Sequence, residues 1–85
     1  MSRHRIEFRP AAARQLRKID PQARERLRGA ITLLAEDPRP PASRQLRGRP
    51  GWRVRVGDYR IIYTIDDGLL VVAVITIGHR REIYG

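Results

Sequence analysis

The sequence predicts an α+β domain, in which a short N-terminal strand and a helical hairpin pack on a mainly antiparallel sheet of three to four strands. Three observations lead there. Residues 10–36 repeat apolar side chains at helical spacing around a single break at Asp20-Pro21. Residues 52–77 hold three strand-like runs separated by Gly57-Asp58 and by Asp66-Asp67-Gly68. At 85 residues the chain can bury one modest core and no more, so residues 1–85 form a single domain.

Taken in order, "HRIEF" alternates weakly, with Ile6 and Phe8 on one side, and reads as the first strand. Pro10 suits the first turn of a helix, and "PAAARQLRKI" continues with Ala12, Leu16 and Ile19 on one stripe. Asp20 and Pro21 are an N-cap and N1 pair opening a longer helix, which runs to about Glu36 before Asp37 and Pro38 stop it. Its buried stripe is Ala23, Leu27, Ala30, Ile31 and Leu34. Gly29 inside this helix costs about 1 kcal/mol relative to alanine, a cost that either packing offsets or a close helix approach explains. "DPRPPASRQLRGRPG" is a surface loop anchored by Leu46. The strands follow at residues 52–56, 59–65 and 69–77, an antiparallel meander whose last member, apolar on both faces, belongs in the middle of the sheet or under cover on both sides.

Eighteen basic residues against nine acidic give a net charge of +9, and all the basic residues but Lys18 are arginine. Arginine's planar fork matches phosphate oxygens in pairs and stacks on bases, which favours a nucleic acid as partner; a GC-rich genome or an acidic protein partner would leave the same composition. Cysteine is absent, which excludes disulfides and thiolate metal sites. Two histidines far apart and carboxylates scattered in turns offer no metal shell, and no phosphate-cradling glycine loop precedes a helix, so neither metal nor cofactor is expected. The N-terminus is too charged for a signal sequence and no apolar run spans a bilayer, from which a cytoplasmic protein with no membrane partner is expected.

The most informative stretch is "WRVRVGDYRIIY", residues 52–63. With Gly57-Asp58 as a two-residue hairpin turn, Val56 pairs with Tyr59, Arg55 with Arg60, Val54 with Ile61 and Arg53 with Ile62. Trp52, Val54, Val56, Tyr59, Ile61, Tyr63 and Ile65 then share the face under the helices, and Arg53, Arg55 and Arg60 share the other. Two unit charges about 6 Å apart repel by nearly 3 kcal/mol at an effective dielectric of about 20, and by less when solvated. An anionic ligand accounts for such a cluster; a solvated strand face is the plainer account. With Asp67-Gly68 as the next turn, Ile77 returns beside Asp58, and "GHRREIYG" emerges where Arg55 and Arg60 lie, delivering His79, Arg80, Arg81 and Tyr84 to the edge of the arginine face.

Cleaving RNA without a metal requires activation of the 2′-OH, stabilisation of charge on the phosphorane, and a proton for the departing 5′ oxygen. Guanidinium groups suit the second task. Arginine seldom exchanges a proton, so Tyr84, whose phenolate nearby cations favour, is the better acid or base, with His79 and Glu82 in reserve. Each has a plain alternative: a terminal tyrosine covering the core edge, a turn histidine, a glutamate neutralising Arg80 or Arg81. Arg47 and Arg49 in the loop either contact phosphate or keep the loop solvated, and Trp52 falls on the core face rather than on a base.

The order of elements, with "LRG" at Leu46 to Gly48, "WRVRVGDYRIIY" and "GHRREIY", resembles the RelE toxins of bacterial type II toxin-antitoxin systems over essentially the whole chain. The resemblance implies a metal-independent endoribonuclease that enters the ribosomal A site and cuts messenger RNA. It also implies a RelB-like antitoxin that wraps the toxin, with operator DNA bound only through that complex. Carried onto this chain, it assigns catalysis to Arg53, Arg55, Arg60, Arg80 and Tyr84, and substrate contacts to Arg81, His79 and Arg47. Better-known members have lysine where this chain has Arg53 and Arg55, and some carry a C-terminal helix for which no residues follow Gly85. Two other readings fit the same fold: a ParE-like toxin that poisons DNA gyrase and hydrolyses nothing, and a non-catalytic module that binds RNA or antitoxin.

Overall fold

Asp20 separates the two helices. A computed structural model describes residues 3–79, and in it α1 (Pro10–Lys18) gives way at Ile19 to α2 (Pro21–Glu36), where the Asp20 carboxylate accepts a hydrogen bond from the Ala23 N–H at 3.1 Å. This bond satisfies one of the donors that a helix start leaves without an intrahelical partner. Helix α2 closes with the Asp37 N–H donating to the Leu33 carbonyl at 2.9 Å, and Pro38 prevents continuation. The expected stripe is buried at Leu27, Ile31 and Leu34, and Ala35 joins it.

Among the described residues the sheet has five strands in the order β1-β5-β4-β3-β2: β1 (Arg5–Phe8), β2 (Arg44–Gln45), β3 (Trp52–Val56), β4 (Tyr59–Asp66) and β5 (Val71–His79). It is mixed, because β1 runs parallel to β5 while the other pairs are antiparallel. One strand more is present than the sequence suggested, since Arg44–Gln45, inside the presumed loop, pairs with β3. Strand β5 lies between β1 and β4, which accounts for its continuous apolar run. The helices cover one face. Ala12 and Leu16 of α1 and Leu27, Ile31 and Leu34 of α2 meet Val54, Ile61, Tyr63, Val72, Val74 and Ile77 of the sheet, with Trp52, Val56, Tyr59 and Ile65 packed around them. The predicted faces of the β3–β4 hairpin are the observed ones. Among the described residues no helix is long and apolar enough to cross a membrane.

The return of β5 differs from expectation by three residues. The turn occupies four residues, Asp67 to Leu70, with Leu70 at φ 56°, so that Asp66 pairs with Val71. A register shift between Ile62 and Tyr63 then takes the pairing from Tyr63–Val74 to Ile62–Thr76, leaving Ile75 as the extra residue. Ile77 therefore lies beside Ile61, Gly78 beside Arg60 and His79 beside Tyr59.

The segment from 37 to 51 is tied down at both ends. The buried Tyr63 hydroxyl donates to the Pro38 carbonyl at 2.7 Å, and burial pushes the phenol pKa up, keeping the proton that this bond needs. Further on, the Leu46 N–H donates to the Gly51 carbonyl at 2.9 Å. Gly51 has φ 130°, and a Cβ there would lie 3.0 Å from Leu46 Cδ1 and 3.3 Å from the Tyr63 carbonyl oxygen, so the close approach of loop to sheet requires glycine. Asp67 ties the start of this segment to the N-terminal part of the chain. It takes a 2.8 Å ion pair from Arg39 and a 3.1 Å hydrogen bond from Nε2 of the buried His4, while Arg39 also lies 5.5 Å above the Trp52 ring. Arg39 first, and His4 second, hold the Asp67 carboxyl below the ordinary carboxylate range.

Gly29 is exposed, and nothing lies within 4 Å of where its Cβ would be, so no close helix approach demands it. Gly29→Ala is expected to stabilise the protein by about 0.5–1 kcal/mol, read as a rise in the urea midpoint at unchanged slope. Asp67 gives a pH-dependent counterpart. Its native pKa is depressed, so its contribution is present above the unfolded-state value of about 4 and is lost as pH falls through the native value. Asp67→Asn should therefore be less stable than the wild type at pH 7, and the gap should close on acidification below about pH 4, measured by denaturant unfolding across that range.

Candidate RNA-binding and cleavage site

The turn between β3 and β4 sets the geometry of the candidate site. Gly57 has φ 59° and Asp58 has no positive φ, the pattern of a two-residue turn with glycine first, whose twist matches that of the flanking strands. Arg55 is thereby placed directly opposite Arg60, and Arg53 opposite Ile62. Strand β2 adds a further charge, since Arg44 pairs directly with Arg53. Four arginines from three strands thus line one cavity of about 210 Å³ together with Ala42 and Val54. A neighbouring cavity of about 530 Å³ shares Arg44 and Arg53 and adds Gln45, Leu46 and Arg47. Arg44 and Arg53, common to both cavities, connect Arg47 in one with Arg55 and Arg60 in the other.

Within this surface Arg55 is exposed, whereas Arg53 and Arg60 are half-buried. Arg44 is held by its own loop, its Nη1 donating to the carbonyls of Pro41 at 3.1 Å and Ser43 at 3.0 Å. A guanidinium carries five N–H donors, so these bonds leave donor capacity for an anion. Partial burial lowers the local dielectric and strengthens attraction for a phosphate relative to bulk water. The arrangement is suited to binding a phosphodiester and to stabilising charge that develops on it.

The sequence-predicted residues divide into three groups. Arg53, Arg55, Arg60 and Arg47 come together on the face away from the helices. His79 does not join them. Its partner in the ladder is Tyr59, whose side chain faces the helices, and the two rings meet edge to face with centroids 5.7 Å apart and planes at 76°. Arg80, Arg81, Glu82 and Tyr84 lie outside the described residues. Strand β5 does bring His79, the last described residue, to the end of the sheet that carries Arg55 and Arg60. Trp52 faces the core side, as expected, with Arg39 over its ring.

Arg44 is the residue that sequence reasoning missed. A two-residue strand has no periodicity to read. The available signal was indirect: the Leu46 to Gly51 segment closes a short loop, which obliges the residues before Leu46 to run back beside the start of β3.

Known proteins share this sequence pattern and this fold. A model of the ParE toxin of type II toxin-antitoxin systems matches residues 6–84. The mRNA interferase toxin RelE of Escherichia coli K12 is 33% identical over 84 residues, covering 93% of this chain and 87% of that protein. The fold superposes on a chain of the toxin-antitoxin complex RelBE2 from Mycobacterium tuberculosis with a TM-score of 0.84 and 26% identity, covering 94% of each chain. It superposes on the E. coli RelBE toxin-antitoxin complex with a TM-score of 0.80 and 30% identity, covering 89% of this chain and 95% of that one. The chain belongs to the RelE/ParE family of toxins of type II toxin-antitoxin systems.

Proposed function

We propose that the protein is an mRNA interferase, a metal-independent endoribonuclease that cuts messenger RNA on the ribosome and is held inactive by a RelB-like antitoxin. The observation that carries this reading is the convergence of Arg44, Arg53, Arg55 and Arg60 on one cavity, in a chain 33% identical to a named mRNA interferase. In the reaction the 2′-oxygen attacks the adjacent phosphorus, a new P–O bond forms, and the bond to the 5′ oxygen breaks. The products are a 2′,3′-cyclic phosphate and a 5′-hydroxyl. The guanidinium groups bear the charge on the phosphorane oxygens. The proton that leaves the 2′-OH and the one that the 5′ oxygen gains are assigned to the C-terminal segment, Tyr84 foremost, with Arg80 and Arg81 completing the charge. Arg47 holds the substrate strand along the extended basic surface.

The antitoxin follows from the neighbours, several of which were crystallised as toxin-antitoxin complexes. Antitoxin binding over the basic face would neutralise part of the +9 charge and block the cavity. Operator DNA is contacted through that complex, and both messenger RNA and ribosome place the protein in the cytoplasm. A second reading has one observation in its favour: the matching family model is that of ParE, whose members poison DNA gyrase.

Induction of the chain is expected to arrest translation and to leave cuts within translated codons, mapped by sequencing RNA ends. Arg60→Ala should lower the cleavage rate by about 10²–10³-fold while the thermal midpoint stays unchanged, the loss expected for one donor to a developing oxyanion. Tyr84→Phe should relieve toxicity as well. A DNA-damage response without RNA cuts would select the gyrase reading instead.

A further inference from the structure

Behind the basic face, on the helix side of the same hairpin tip, lies a cavity of about 320 Å³ that the cleavage reaction does not use. Asp20 and Arg26 line it from the α2 side, Gly57, Asp58 and Tyr59 from the turn, and His79 from β5. The Tyr59 and His79 rings, edge to face and each half-buried, form an aromatic wall. The exposed Arg26 reaches the turn, with Nη1 3.7 Å from the position a Cβ would take at Gly57.

The lining is selective. Two carboxylates against one guanidinium repel a phosphate, so this cavity differs in kind from the arginine groove. The same carboxylates accept hydrogen bonds, and one oxygen of Asp20 already does so from Ala23. An aromatic ring on which a base can stack, acceptors at the rim and a guanidinium that can stack or donate are what an unpaired nucleobase requires. The carboxylates favour a base with an exocyclic amino group over uracil, which lacks one.

Position links the two cavities. In the ladder the Tyr59–His79 pair is adjacent to the Arg60–Gly78 pair, and successive residues of a strand point to opposite faces. The base cavity and the phosphate groove therefore stand back to back across the end of one sheet, and an RNA strand passing the Gly57-Asp58 turn touches both. We propose that the cavity is a nucleobase subsite, which takes one unpaired, amino-bearing base of the RNA whose phosphate lies on Arg55 and Arg60. The proposal rests on the nuclease reading above and adds to it a source of sequence preference.

The test is to map cut sites for the wild type, Arg26→Ala and Asp58→Asn on the same translated messages, with thermal midpoints measured in parallel. In the variants, discrimination against uracil at one position near the cut should fall by about tenfold, the size expected for losing one specific base contact, while total cutting persists. Identical base profiles in all three proteins would overturn the subsite and leave the nuclease reading standing. Absence of cuts by the wild type would overturn the nuclease reading, and the subsite with it. A second measurement is independent of turnover: a 2′-O-methyl oligonucleotide, which cannot be cut, should shift the NMR signals of the Tyr59 and His79 rings. Shifts confined to Arg53, Arg55 and Arg60 would overturn the subsite, even were a variant to prove too unstable for the mapping.

Discussion

Strand register holds like charges face to face, and much of the molecule maintains that arrangement. Arg44 faces Arg53 and Arg55 faces Arg60, pairs that would separate if the register were free. It is not free, because the opposite face of the same strands carries Val54, Ile61 and Tyr63, all buried under the helices. A slip by one residue would send the arginines into the core and the apolar side chains into water. The magnitudes settle the outcome. Burying one large aliphatic side chain contributes about 1.5–3 kcal/mol, and several lie on this face. Repulsion between a solvated pair of guanidinium groups is smaller than the roughly 3 kcal/mol reached at an effective dielectric of about 20. Hydrophobic burial on one side of the sheet thus fixes like charges opposite one another on the other side.

The loop before β3 makes the same arrangement wider. Tyr63 holds its start through Pro38, and Gly51 lets its end approach the sheet closely enough for Leu46 to be buried. Between these ties, Arg44 and Gln45 have one path left, beside Trp52 and Arg53. The fourth arginine of the groove is therefore placed by the core residue Tyr63 and by a glycine, neither of which touches the site. Asp67 adds a second tie near the loop's start by joining Arg39 and His4, and Arg39 in turn covers Trp52.

Local signals were legible in the sequence where one residue acts on its neighbours. The cap at Asp20, the prolines at helix starts, the glycine-first turn and the alternation of β3 and β4 all act within a few positions, and the structure has them as read. Long-range register was not legible. The four-residue turn at Asp67 to Leu70 depends on Leu70 adopting a left-handed conformation that non-glycine residues rarely take, and the extra residue at Ile75 looks like any other in an apolar run. Together they displaced β5 by three positions. For the candidate site the consequence is specific: the arginines on the hairpin were found by parity alone, while His79 was assigned to the wrong side of the sheet because its side depends on that bulge.

The placement of His79 sharpens the chemical division of the molecule. Arginine stays protonated at any ordinary pH, so the groove supplies positive charge and hydrogen-bond donors but no proton carrier. Among the described residues, the imidazole nearest in the ladder turns its ring toward the helices and Tyr59. In the proposed nuclease, proton transfer then falls to the segment that follows β5, while the hairpin contributes charge and hydrogen-bond donors. Such a division permits control. On that reading an antitoxin that engaged only that segment would remove acid-base catalysis while leaving the basic face able to bind RNA, whereas one lying over the groove would remove binding itself.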